Sequence, residues 1–357
     1  MLLVMKELSF NLGRLAFAPD TLQMLPCLPD SLEFRIKVFY LTKEGLIEAG
    51  FTEFERLAQL REENDFLWLH LSGTLGDEFW QHLRQFLDLS DEQVKQLRGP
   101  HKQSFFEDFH NGSFWTLLRP SITDNVDAIE TVNFFIAEKA LVTRQFSHDQ
   151  AFGMASHRLM EKGEHFSNVG VDTLAANLIE DVINSYVELL RLGGTRLEEI
   201  QNKIILRPGR EELHLINRAQ QVIWIYLNQI WPVETVLLGM QRSTNPLWTD
   251  GGKRQIAYRQ DEAGAVIRLF ETYRAMSYNL MDVYVSGLSL RTNRTTTILT
   301  MIATLILPPS LIAAIYGMNF FIPEVHAIFG YYVCLAAMVG ISGGLFFWLK
   351  RNGYIDL

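Results

Sequence analysis

Hydrophobic and polar positions along this chain change period twice. Up to about Ser147, short aromatic and aliphatic runs alternate with stretches whose apolar residues recur every three or four positions. Phe34–Leu41, Phe66–Leu71, Phe114–Arg119, Thr131–Ile136 and Ala140–Gln145 are bounded by turn or charged residues and read as strands. Thr52–Arg61 and Asp77–Leu87 carry helical spacing. The alternation predicts an α/β domain, a mixed sheet with helices on both faces.

From Asp172 the period is helical throughout. Asp172 is an N-cap for a helix from Thr173 to about Ile204, with Leu174, Leu178, Val182, Tyr186, Leu189 and Leu190 on one stripe. Arg207-Pro208-Gly209 stops it. A second helix from about Glu211 to Met240 places Leu215, Ala219, Ile223, Leu227 and Trp231 on one side, and Pro232 is expected to bend it. Asn245–Gly252 (NPLWTDGG) reads as a loop, followed by one helix from about Arg259 that continues into the last pattern.

That last pattern is apolar and uncharged. Neither Thr295–Ile322 nor Ala327–Leu349 contains Asp, Glu, Lys, Arg or His, and each run exceeds the roughly 20 residues needed to cross a bilayer. Helices also satisfy their own backbone in lipid. Arg291 and Arg294 flank one end of the pair and Lys350 and Arg351 the other, whereas the link has only Glu324 and His326. The positive-inside rule then places both termini in the cytosol and the Asn319 link outside. The predicted partition is a cytosolic α/β domain (1–171), its helical hairpin (172–257), the cytosolic part of a stalk helix (258–297), a first span (298–316), an external loop (317–326), a second span (327–349) and a cytosolic tail (350–357). The roughly 40 stalk residues rise about 60 Å before the bilayer.

Charge and cysteine content narrow the function classes. A net charge of −9 disfavours a nucleic-acid partner and favours cations. Cys27 and Cys334 are the only cysteines, which excludes a disulfide scaffold or a thiolate metal cluster, and no basic region leads into an N-terminal apolar run as in a signal peptide. The nine histidines form no HExxH or paired-ligand spacing, no Gly-rich phosphate loop is present, and no nucleophile–base pair is legible, so neither an ATP-driven pump nor an enzyme is indicated.

At the outer end of the first span the chain reads Tyr316-Gly317-Met318-Asn319-Phe320, then Pro323-Glu324. Leu307-Pro308-Pro309 and Asp282-Val283-Tyr284 lie upstream. In these residues, and closely over roughly its last 80, the chain resembles the CorA family of divalent metal ion transporters. The resemblance implies a homo-oligomer, a pentamer, in the cell (inner) membrane, with a central pore and Mg²⁺, Co²⁺ or Ni²⁺ as substrate and no cofactor. Mg²⁺ sheds water reluctantly, so a ring of Asn319 amide oxygens, with Gly317, Met318 and Glu324 around it, would hydrogen-bond the hydrated ion. The family's hairpin is rich in acids. Here Glu198, Glu199, Glu211 and Glu212 are interleaved with Arg196, Lys203, Arg207 and Arg210.

Steps of three and four back from Gly317 reach Ala314, Ser310, Leu307, Ala303, Leu299, Thr296 and Asn293, one helical face. Small and polar residues interrupted by two leucines suit a lining closed by apolar rings, or simply close helix packing. The resemblance assigns matching positions to the pore. It also implies regulatory metal at acids between subunits, for which Asp261, Asp282, Asp91 and Glu92 are the candidates. Otherwise these are solvated charges. Two further readings compete: a Zn²⁺ transporter of the same superfamily, coupled to protons, and a membrane-anchored scaffold or sensor that conducts nothing.

Overall fold

The computed structural model describes residues 35–42, 45–50, 54–64, 66–121, 129–146, 152, 170–318 and 329–353. In order these form β1 (Arg35–Thr42), β2 (Gly45–Gly50), α1 (Phe54–Glu63), β3 (Leu67–Ser72), α2 (Asp77–Leu87), α3 (Asp91–Arg98), β4 (Phe105–Phe109), β5 (Gly112–Pro120), β6 (Ile129–Ala137), β7 (Ala140–Gln145), α4 (Val171–Leu206), α5 (Arg210–Arg242), α6 (Asp250–Tyr316) and α7 (Gly330–Arg351). Two compact units emerge, one of residues 1–201 and 214–279, the other of 202–213 and 280–357.

The first unit holds a seven-stranded mixed sheet in the order β2-β1-β3-β7-β6-β5-β4. Its one parallel pair is β3 with β7, and the other neighbours run antiparallel. Because strand side chains alternate between faces, register sorts the apolar residues into two layers. Val38, Leu69, Val142, Phe135 and Phe114 stand opposite one another across five strands. All are buried in one cluster with Leu57 of α1, Trp80, Leu83 and Leu87 of α2 and Leu97 of α3. The other face carries His70, Thr143, Phe134 and Trp115 in register. Trp115 stacks on Phe134, with ring centroids 5.0 Å apart, and Trp248 donates its indole N–H to the Ser113 hydroxyl at 3.0 Å. The Tyr186 hydroxyl of α4 donates to the Leu118 carbonyl at 2.6 Å, fixing a helix to this second face.

The predicted strands are all present, two more occur, and several boundaries move. β2 (GLIEAG) is too poor in aliphatics, and β4 (FFEDF) too charged, to announce themselves as strands. α3 is a further helix, opened by a capping box in which the Ser90 hydroxyl accepts from the Gln93 N–H and the Gln93 side chain accepts from the Ser90 N–H. α6 begins at Asp250 rather than near Arg259, and Gly251 and Gly252 are helical. Thr249 makes this start possible: its hydroxyl accepts the Gly252 N–H at 3.0 Å. Asp172, 2% exposed, accepts the N–H and hydroxyl of Thr249 through one carboxylate oxygen and the N–H of Thr173 through the other. It therefore joins the starts of two helices, while the Gly170 carbonyl receives the first N–H groups of α4.

α5 runs unbroken past Pro232. Its buried stripe passes through Ile223, Tyr226, Leu227, Ile230, Val233, Leu237 and Met240, so Trp231 stands 42% exposed instead of facing inward with Leu227. Tyr186, Tyr226 and Phe270 meet edge to face, with centroids 6.3 to 6.5 Å apart, where α4, α5 and α6 converge. Arg259, 7% exposed, is held between Glu180 at 2.7 Å and Glu262 at 2.8 Å.

Candidate ion pathway

The second unit contains the C-terminal part of α6, α7 and the turn between α4 and α5. α6 and α7 are long and apolar enough to cross a membrane. Beyond Gly287 the half-buried residues of α6 are Met301, Thr304, Leu305, Pro308, Pro309 and Ile312. On α7 they are Gly330, Cys334, Met338, Ser342 and Leu345, with Leu349 buried. These positions recur every three or four residues, so each helix hides one stripe. The Ser342 hydroxyl donates to the Leu305 carbonyl at 3.1 Å. That carbonyl would normally accept the N–H of residue 309, which is proline and has none. Ser342 thus supplies the donor that Pro309 removes, in a setting where an unsatisfied carbonyl is costly.

The residues expected to line a path lie elsewhere on α6. Asn293, Thr296, Leu299, Ala303, Leu307, Ser310 and Ala314 are all exposed, Leu299 to 63% and Leu307 to 66%. At about 100° per residue, their face is centred roughly half a turn from the stripe that includes Leu305 and Ile312. Ile302, Ile306 and Leu311, large and exposed, flank it.

Most hydroxyls along this segment are tied to their own helix, Ser310 of the predicted lining face included. Those of Thr292, Thr295, Thr297, Thr300, Thr304 and Ser310 each donate to the carbonyl four residues earlier. Such bonds keep a hydroxyl satisfied without water. Among the described threonines from Thr292 to Thr304, Thr296 is the one without such a bond, and it is exposed on the predicted lining face.

At the far end of α6 the Gly317 N–H reaches the Ala313 carbonyl at 2.9 Å and the Met318 N–H reaches that of Ile315 at 3.2 Å, a tightening last turn. A Cβ on Gly317 would come 3.1 Å from the Ala313 carbonyl oxygen of the same turn. Met318 is 52% exposed. Asn319 and Glu324 lie outside the described residues. Aromatic residues collect at both ends of α7: Phe329, Tyr331 and Tyr332 at the start, Trp348 beside Lys350 and Arg351 at the finish, all four rings more than half exposed. This pattern, which suits a pair of membrane interfaces, was available in the sequence as Phe329-Gly330-Tyr331-Tyr332 and Phe346-Phe347-Trp348.

The candidate regulatory acids are dispersed. Asp261 lies in the first unit and Asp282 in the second, both exposed. Asp91 pairs with Arg84 at 2.6 Å, and Glu92 is exposed in the first turn of α3. Among the described residues, no three His, Cys, Asp or Glu side chains gather to hold a metal within one chain.

An α/β domain followed by a helix that runs on into the first of two apolar, span-length helices defines a class of two-span membrane transport proteins. The model of the CorA-like Mg²⁺ transporter proteins matches residues 63–351. The chain belongs to the CorA family of divalent metal ion transporters, and is a transporter rather than an enzyme. It is 25% identical over 329 residues to the cobalt/magnesium transport protein CorA of Thermotoga maritima, covering 90% of this chain and 93% of that one. It is 23% identical over 294 residues to the zinc transport protein ZntB of Pectobacterium atrosepticum, covering 81% and 88%. The complete structure of the CorA magnesium transporter from Methanocaldococcus jannaschii superposes with a TM-score of 0.75 at 20% identity, over 90% of this chain and 99% of that one.

Proposed function

We propose that the chain is a passive channel for divalent cations, importing Mg²⁺, and also Co²⁺ or Ni²⁺, through a central pore enclosed by five copies in the cell's inner membrane. Both termini lie in the cytosol. The observation that carries this reading is the division of α6: α7 covers one stripe, and the face of Asn293, Thr296, Leu299, Ala303, Leu307, Ser310 and Ala314 is left uncovered. One chain cannot enclose a path with one helix face, whereas several copies around an axis can. Leu299 and Leu307 would then form apolar constrictions that close by dewetting, and Thr296 and Asn293 would meet the hydrated ion on the cytosolic side. Asn319, with Gly317, Met318 and Glu324, would form the external selectivity ring. Membrane potential is a sufficient driving force, about 4.6 kcal/mol per 100 mV for a divalent ion at about 2.3 per charge.

The substrate and regulator would be the same class of ion, with no cofactor. Asp261 and Asp282, and Asp91 with Glu92, are the acids through which cytosolic metal would act between subunits. The likeness to the zinc transport protein keeps a proton-coupled Zn²⁺ transporter as the second reading.

The test is metal flux into proteoliposomes, each metal in turn, with and without a pH gradient. Under the leading reading, Mg²⁺ enters without a proton gradient. Asn319→Ala, which removes the acceptor but keeps the chain assembled, lowers selective flux at least tenfold. Wild-type flux requiring a pH gradient and favouring Zn²⁺ would support the second reading. Unchanged rate and selectivity in Asn319→Ala would show that the loop is only an interfacial cap.

A further inference from the structure

We infer that the turn between α4 and α5 is a membrane-surface anchor, with Ile205 and Leu206 in the interface of the cytosolic leaflet and its cations on anionic lipid headgroups. The inference rests on the reading that α6 and α7 cross a membrane. Ile204 is 1% exposed, yet its neighbours Ile205 and Leu206 are 63% and 81% exposed, Leu206 more than any other large apolar side chain among the described residues. They end α4, and the chain turns at once through Arg207-Pro208-Gly209 into α5.

The turn's position along α6 is set by two contacts inside the second unit. Arg291 donates from Nη1 to the Pro208 carbonyl at 3.4 Å, and a Cβ on Gly287 would lie 3.3 Å from Pro208 Cγ. Arg291 precedes Ile298, the first residue of the span, by seven positions, about 10 Å of helix. The interfacial layer beyond the hydrocarbon is itself about 5–8 Å deep on each side, so long side chains at the turn reach it.

Charge decides between lipid and a second protein surface as the cover. Lys203, Arg207 and Arg210 are exposed around the two aliphatic residues, against Glu211, exposed, and Glu212, half-buried. On the spans themselves Arg291, Arg294, Lys350 and Arg351 flank the same end, and no acid lies between Asp282 and Met318. The Ser342–Leu305 hydrogen bond sets Lys350 at the level of Thr297. Two exposed aliphatics with three cations and two acids around them, beside a belt of four cations at the end of two apolar helices, match an anionic bilayer surface.

Nitroxide labels on Ile205→Cys, Leu206→Cys, Asn202→Cys and Val339→Cys, each in the full chain carrying Cys27→Ser and Cys334→Ala, test this in phosphatidylcholine nanodiscs with and without phosphatidylglycerol. Labels at Ile205 and Leu206 should be protected from a water-soluble nickel chelate relative to Asn202 and gain protection with phosphatidylglycerol. Arg207→Gln should reduce that gain by about fivefold, the weight of one cation at an anionic surface. If both are as nickel-accessible as Asn202 while the Val339 label stays protected, the spans cross the bilayer and the anchor is wrong. Equal protection in detergent and in both lipids would mean that another copy covers the turn, also overturning it. A nickel-accessible Val339 label removes the membrane reading and the anchor with it.

Discussion

His70 is a base that the fold keeps neutral. Trp68 donates its indole N–H to the Thr143 hydroxyl at 2.9 Å, so the Thr143 proton is available to His70 Nδ1, also at 2.9 Å. Burial first, then Lys37 and Arg119, push its pKa down to about 3. The unfolded imidazole titrates near 6.5, so between these values the unfolded chain binds the extra proton and stability falls as pH falls. That contribution is complete above about pH 6.5. The expected loss from His70 alone between pH 7 and pH 5 is on the order of 2 kcal/mol. Thermal unfolding of the solubilised chain at the two pH values should show it, and His70→Phe, which keeps an aromatic ring against Phe152, should flatten the dependence. An identical pH dependence in the variant would assign acid sensitivity elsewhere.

Between α6 and α7, one hydroxyl compensates for one proline. Ser342→Ala leaves the Leu305 carbonyl without either its helical donor or its replacement, and should destabilise the helix pair by about 0.5–2 kcal/mol. Pro309→Ala restores the N–H, so the double variant should recover most of the loss, read as heat stability of the solubilised assembly. Equal losses in single and double variants would detach Ser342 from the proline.

The proline step is plain in the sequence, but its mate is not, because the Ser342 hydroxyl reaches the Leu305 carbonyl only across 37 positions. Where the signal was local it could be read: the helical span of Asp77–Leu87 and the β7 strand Ala140–Gln145 fall at the expected residues. Where a long-range partner sets the outcome it could not. Gly251 and Gly252 look like breakers until Thr249 is capped by Asp172, 77 positions away. The S-x-x-Q of Ser90–Gln93 was a readable start for α3 that helical spacing alone does not reveal.

At the scale of the whole chain, fold class follows from the alternation of short apolar runs and helical spacing, while strand order does not. The parallel pairing of β3 with β7 brings together segments more than 70 positions apart, with no mark in either strand. That Asn293, Thr296, Leu299, Ala303, Leu307, Ser310 and Ala314 share one exposed helix face was legible, because spacing on a helix is geometry.

The continuity of α6 from Asp250 to Tyr316 has a further consequence. Gly287 and Arg291, which meet the turn at Pro208, share one unbroken screw with Thr296, Ala303 and Leu307. One alanine inserted after Arg291 advances everything beyond it by about 100° and 1.5 Å, enough to swing the proposed lining face aside while the turn holds its own contacts. Seven inserted residues advance it by about 700°, within about 20° of two full turns. Helical phase, rather than length, therefore couples the turn's contacts to the face of Thr296, Ala303 and Leu307. The single insertion should abolish flux in assembled protein and the seven-residue insertion should retain a measurable part of it. Equal flux from both would mean that the two contacts tolerate independent rotation.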